Sequence, residues 1–368
     1  MPSRKVHDSS SIAERLPNSQ KRKINNIMQF LKRLRDFLWK CSGEYLWRYI
    51  FRRIVKQLVH WITGKPEIHR LCLGSDGNKT TLTINVAKSL LQSKQLGKLP
   101  SLIFSNKSFD ARSMVDQILH KKHIYSADPI VRVNLKDALE SISTVNALIE
   151  ELATLRKEAF DTANPEHEAL LEDFWNAMRP GVRRQHGRIT SEWGEVGFQG
   201  KDPATDFRGM GILALQHLVH FAQRRPKDAR SVLTISAHPV KYFPFAATGV
   251  NFTSFVCELL ERRLLDVRLY KLTTGSQSME FGTYDEFYKS EGPGVTDALT
   301  MQKMLGCIGD FYNDLYVEFG EFWEASNPKN TLDFPKIYGV FKTRVEERLE
   351  REWKGHNPSK LLESKGNK

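Results

Sequence analysis

The sequence predicts an all-α protein, and three observations carry that expectation. Long segments repeat their apolar positions at intervals of three and four, as in Leu135, Leu139, Ile142, Val145, Ile149 and Leu152, which lines one face of a helix. The β-branched stretches Ser231–Ser236 and Val267–Thr273 could form strands, but they stand isolated, without the strand–helix alternation of a parallel sheet. No repeat of fixed period runs through the chain.

With 368 residues and 40% hydrophobic composition, the chain can bury one large core or two modest ones. Its four cysteines (Cys41, Cys72, Cys257, Cys307) form neither a CxxC pair nor a dense framework. With no leading signal peptide, they read as reduced thiols of a cytoplasmic protein. No apolar run is long enough to suggest a membrane span. The net charge is +12, yet residues 1–70 hold 16 Lys/Arg against 5 Asp/Glu, a net of +11. Since the rest is nearly neutral and no RNA- or DNA-binding motif accompanies the charge, nucleic acid is not expected as a partner.

In chain order, residues 1–23 read as a disordered basic N-terminus, poor in large apolar residues. Residues 24–63 read as basic amphipathic helices, broken near Ser42-Gly43, with Ile27, Leu31, Leu34 and Leu38, then Leu46, Ile50, Ile54 and Leu58, on the apolar face. Trp39, Trp47, Arg48, Arg52, Arg53 and Lys56 are candidate contacts to an anionic membrane, which would make the protein peripheral on intracellular membranes. The alternative is that the apolar stripe packs on the main body and the arginines are merely solvated.

Residues 64–165 form a helical region leading into the main domain, with helices expected over 83–96, 110–122 and 135–155 and loops over 105–110 and 161–165. Glu67–Cys72 reads as a turn. Gly74–Thr81 superficially suggests a phosphate loop, but Asn78 stands where a glycine must precede the lysine, so no nucleotide site is expected there. The main domain spans 166–325, with helices expected over 167–178, 203–224, 250–266 and 296–325. Residues 326–368 hold a C-terminal helix, 333–354, and a polar tail.

The chain is organised around Trp193–Phe221. Asp202-Pro203 is a helix start, because Asp caps free N–H groups and Pro tolerates the first helical position. Beyond it an amphipathic helix is expected, with Leu213, Leu218 and Phe221 on one side and Ile212, Leu215 and Val219 beside them. Gly197, Gly209 and Gly211 mark places where the backbone bends or is closely approached. Arg208 stands among them, with Asp202 and Asp206 close enough in sequence to orient it. His217 and His220 share a helix face but have no third ligand at a recognisable spacing, so no metal site is expected.

This stretch resembles the signature of the ELMO domain, W-x3-G-F-Q-x2-D-P-x-T-D-F-R-G-x-G. Its fixed positions are Trp193, Gly197, Phe198, Gln199, Asp202, Pro203, Thr205, Asp206, Phe207, Arg208, Gly209 and Gly211. The likeness extends to His167-Glu168, Leu170–Trp175 and Pro180 upstream, and to Tyr242–Thr253 downstream. The small ELMO-domain proteins act as GTPase-activating proteins for Arf-family and Arf-like small GTPases, and the arginine at the Arg208 position is their catalytic residue. The resemblance therefore implies that Arg208 enters a partner's site, with GTP and Mg²⁺ carried by the partner and no cofactor of the chain's own. Gln199, Asp202, Thr205, Asp206 and Gly209 would contact the GTPase or position Arg208. Trp193, Gly197, Phe198, Pro203 and Gly211 would build the motif. Taken without the resemblance, Arg208 reads first as a structural arginine paired with Asp206 or Asp202. The alternative function is a non-catalytic scaffold, the role of the larger engulfment and motility proteins that carry the same domain.

Overall fold

A computed structural model describes residues 64–74, 78–273 and 298–355. The chain divides into two compact units, 1–67 and 68–368. The N-terminus expected to be disordered, the segment expected to form basic helices with Trp39, Trp47, Arg48, Arg52, Arg53 and Lys56, and the tail from residue 356 lie outside the described residues. Among the described residues there is no strand, and no helix is long and apolar enough to cross a membrane.

The described elements run α1 (Glu67–Leu73), α2 (Lys79–Leu91), α3 (Leu99–Ile103), α4 (Ala111–Lys121), α5 (Pro129–Lys157) and α6 (Pro165–Met178). Two 3₁₀ turns follow, Ser191–Val196 and Pro203–Gly209, and then α7 (Gly211–Arg224), α8 (Pro226–Ser236), α9 (Phe245–Glu261), α10 (Asp266–Thr273), α11 (Ala298–Ala325) and α12 (Phe334–Gly355). Several starts share one chemistry. Asp128, Asn164 and Asp202 each accept a backbone N–H two residues ahead, and each is followed by a proline. The side chain satisfies an orphan amide while the ring fixes the backbone angle the turn needs. Asn78 caps α2 in the same way, accepting from the Thr81 amide at 2.9 Å.

Two helices form the centre. The 29-residue α5 buries Leu135, Leu139, Ile142, Val145, Ile149 and Leu152, the periodic set expected of it. It packs against α2, α4, α7, α9, α10 and α11. Around α7 lie α5, α6, α8, α9 and α11. The sequence predicts an apolar side on α7, but the structure buries almost its whole circumference, with Ala214, His217 and Ala222 as well as the leucines inside. What stays open is a narrow polar stripe at helical spacing, with Gln216 and His220 half-buried and Gln223 exposed, so the helix is amphipathic with an unusually broad apolar side. Each large side chain buried this way contributes about 1.5–3 kcal/mol, as an upper estimate.

Three local expectations are corrected. Ser231–Ser236 and Val267–Thr273 belong to helices α8 and α10. In α8, Ala229, Val232 and Ser236 are buried at helical spacing, so packing overrides the β-branched preference. Glu67–Cys72 is helical rather than a turn. The helix expected over 203–224 is two elements, because Gly211 takes φ +54, which no α-helix accommodates in its interior.

Candidate functional site

The break at Gly211 shapes the site. A Cβ on Gly211 would stand 2.4 Å from the Glu158 carbonyl oxygen, 2.6 Å from that of Arg156 and 2.9 Å from that of Leu155. The first amide of α7 beyond it, from Ile212, donates to the Glu158 oxygen at 2.8 Å. The carbonyl end of α5 thus meets the amide end of α7, satisfying orphan groups of both and bringing the negative pole of one dipole to the positive pole of the other. Only glycine permits both the close approach and the left-handed backbone angle.

The other side of the turn is fixed by aromatic packing. Phe207 is buried and lies 5.8 Å, ring centre to ring centre, from Phe198. Phe198 is 5.8 Å from Trp193, which is 5.6 Å from Trp175. All three contacts are edge-to-face, a geometry worth roughly 0.5–1.5 kcal/mol each beyond the area buried. Phe160 adds a tilted contact to Phe207 at 5.9 Å. The Trp193 indole N–H donates to the Arg188 carbonyl at 2.6 Å. Gly197, at φ +90, lies against Phe245, where a Cβ would come within 2.5 Å of that side chain, and its carbonyl receives the Ala246 amide of α9 at 3.1 Å. Pro203 is buried as well. Trp193 and Phe198 are thus packed with Trp175 and Phe207 into one wall, with Gly197 seated against Phe245 and Gly211 on the opposite side against α5.

Between the Phe207 anchor and the Gly211 seat, Arg208 and Gly209 are exposed. Arg208 donates from Nε to the Thr205 carbonyl at 2.9 Å. Among the described residues, no carboxylate lies within ion-pair distance of it. The Thr205 hydroxyl in turn donates to the Asp202 carbonyl at 2.8 Å. One bond therefore steadies the base of the guanidinium and leaves the two terminal nitrogens without an ion-pair partner among the described residues.

Neither aspartate pairs with Arg208. The Asp202 carboxylate accepts the Ala204 amide at 3.1 Å and an ion pair from Arg188. Arg188 also meets Glu168 at 3.2 Å. Asp206 is half-buried, and that burial raises its carboxyl above the usual range, opposed by the positive charge of Arg208 and reinforced by the negative charge of Asp202. Gln199 and Thr205 are exposed on the same stretch. A Cβ on Gly209 would touch nothing within 4 Å, unlike one on Gly211. Sequence reasoning missed Arg188 and Glu158. Arg188 is one of several arginines between residues 179 and 188, and its pairing depends on a turn fourteen residues on. Glu158 acts through its backbone carbonyl, which leaves no mark on residue type.

The two histidines are engaged elsewhere. The His217 ring is buried, 3.1 Å from the Thr253 hydroxyl and 4.8 Å from the Tyr312 ring centre. Burial pushes its pKa down to about 3, with the neighbouring His220 adding to the effect. His220 contacts the Asn313 side-chain amide at 3.2 Å. No group suited to holding a metal ion occurs among the described residues. Cys72 and Cys257 are buried free thiols, and burial raises them to about 12 and about 11.

Comparison with known proteins places this geometry. Residues 150–338 match the model of the ELMO/CED-12 family. The chain belongs to the ELMO/CED-12 family. It is 32% identical to ELMO domain-containing protein B of Dictyostelium discoideum over 305 residues, 82% of this chain and 94% of that protein. It is 30% identical to human ELMO domain-containing protein 2 over 303 residues, covering 82% and 93%. With human ELMO domain-containing protein 1 the identity is 27% over 340 residues, covering 85% and 89%. No solved structure matches the chain. The ELMO/CED-12 match begins inside α5 and so takes in the junction at Glu158 that seats Gly211, the turn with Arg208, and α7.

Proposed function

We propose that this protein is a GTPase-activating protein for an Arf-family or Arf-like small GTPase, and that it supplies Arg208 in trans. Family membership supports involvement in small-GTPase signalling. The observation that carries the finer reading is the state of Arg208. It is exposed, held only at Nε, free of any ion-pair partner among the described residues, and set between two buried anchors.

Phosphoryl transfer from GTP develops charge on the transferring and leaving oxygens. The partner carries the GTP and its Mg²⁺. A guanidinium offers a planar, permanently charged fork that matches those oxygens. Holding Nε fixes where the fork begins, so less conformational freedom is lost when it engages. Placed in trans, such a group accelerates hydrolysis by about 10³–10⁵. We propose that Gln199, Thr205 and Gly209, exposed beside it, form the contact surface, and that the basic segment 24–63 holds this cytoplasmic protein at anionic membranes.

The test is single-turnover GTP hydrolysis across a panel of purified Arf-family GTPases. Arg208→Lys keeps the charge without the fork and Arg208→Ala loses both, so each loses most of the stimulation. Binding to the GTP-loaded partner weakens far less, because the contact strengthens mainly in the transition state. A folded Arg208→Ala protein with near-normal stimulation would sink the finger reading and leave a scaffold.

A further inference from the structure

The turn that presents Arg208 also carries two acids, Asp202 and Asp206. A carboxylate beside the guanidinium would compete for it and would repel the phosphates it is meant to meet. Asp206 is half-buried, and its carboxyl already feels the Arg208 charge, which opposes the effect of its burial. Asp202 is different. Its side chain retains 27% exposure, and its backbone carbonyl is one hydrogen-bonded link from the base of Arg208, through Thr205.

Arg188 answers that charge. Its guanidinium is 23% exposed and bridges Glu168 and the Asp202 carboxylate. Its own segment is fastened at two points: the Arg188 carbonyl receives the Trp193 indole, and the Thr190 amide donates to the Lys201 carbonyl at 2.9 Å. The cation is therefore delivered to Asp202 from a wall that is itself packed, and the planar fork offers separate N–H groups to the two carboxylates, Nε to Glu168 and Nη1 to Asp202.

We propose that Arg188 is a positioning residue whose charge neutralises Asp202, so that Asp202 does not compete for Arg208. In the reaction this rests on the finger reading above, but the pairing state of Arg208 is a property of the free protein. Without Arg188 the turn keeps its cap and gains an uncompensated anion six residues before the finger.

The experiment compares Arg188→Ala, the double variant Arg188→Ala/Asp202→Asn, and Arg208→Ala. Asn caps a turn as well as Asp does but carries no charge. In single-turnover hydrolysis, Arg188→Ala lowers the maximal stimulated rate about tenfold, with the half-saturating concentration changed by less than about twofold. The double variant returns to within about threefold of the wild type. A double variant as slow as the single, or an undiminished Arg188→Ala rate, overturns the proposal, since a merely structural arginine is not rescued by removing a charge. The ¹⁵Nε–¹Hε resonance of Arg208 in the free protein gives a second readout. It moves in Arg188→Ala as the side chain pairs with Asp202, and returns in the double variant. A resonance unchanged across the series overturns the proposal whether or not any GTPase responds. Loss of the finger reading itself shows separately, as full stimulation by Arg208→Ala.

Discussion

Two corners of the molecule each present an arginine, and they use it in opposite ways. At the corner between α9 and α10, Arg263 takes φ +63 and turns inward. Its Nε donates to Asp266 at 2.9 Å, and its Nη1 reaches Asn146 at 2.5 Å and Asn106 at 3.3 Å. The guanidinium lies 5.5 Å from the Phe104 ring centre. Asp266 also accepts the Tyr270 hydroxyl at 2.8 Å, and Asn146 donates to the carbonyls of Ile103 and Lys107, each at 2.8 Å. At the other corner, Arg208 gives a single N–H to Thr205 and faces solvent. An arginine has five donors. Where the fold consumes most of them the residue is part of the structure, and where it consumes one the rest remain for a partner.

The largest effect expected from this contrast is on stability at the inward corner. Arg263→Ala leaves Asp266 buried without its cation, which costs about 3–5 kcal/mol. Denaturant unfolding should show a large drop in midpoint with little change in slope. A drop under about 1 kcal/mol would mean that the corner is not held by its ion pair. The outward corner has its own structural part, three residues from Arg208: Gly211→Ala meets the carbonyl oxygens at the end of α5 and a left-handed backbone angle together. These cost about 2–4 kcal/mol combined. Wild-type stability in this variant would show that α7 does not need its seat on α5.

These corners also mark how far the sequence could be read. The helices of α5 and α7 were legible because their apolar spacing is long and regular, and the wall of Trp193, Phe198 and Phe207 because large aromatics near Gly and Pro pack inward. The break at Gly211 was not legible, since its cause is a carbonyl group more than fifty residues earlier in the chain. Nor was the partner of Asp202. Sequence distance pointed to Arg208, whereas the fold supplies Arg188 from the preceding loop and leaves Arg208 without an ion-pair partner among the described residues. Ser231–Ser236 misled for a related reason, because β-branched residues tolerate a helix whose face is buried.

A smaller, pH-dependent effect separates the buried interior from the open turn. His217 is held neutral, with a pKa of about 3 against 6.5 for the free side chain. A depressed pKa means that the unfolded chain binds the extra proton, so stability is full above pH 6.5 and falls as pH drops toward 3. The slope is about 1.4 kcal/mol per pH unit within that window. His217→Gln is expected to be less stable at pH 7 but to lose less between pH 6.5 and 4.5. Parallel melting curves of the two proteins across that range would show that another group governs the acid transition.

The smallest expected effect on stability falls on Gly209, next to Arg208. Its neighbour two residues on, Gly211, is pinned by carbonyl oxygens, but a Cβ on Gly209 meets open space, and its backbone angle is not among the left-handed ones. Gly209→Ala should therefore change stability by less than about 0.5 kcal/mol in thermal or denaturant unfolding. That neutrality is useful because the methyl group would project from the same exposed corner that presents Arg208. If the corner approaches a GTPase closely, the added methyl raises the half-saturating concentration in the hydrolysis assay while the melting temperature holds. If instead the variant melts markedly lower, Gly209 is structurally constrained and the corner is not open as described. A variant unchanged in both respects would place the partner's surface at the guanidinium tip alone, with the backbone of the turn standing clear of it.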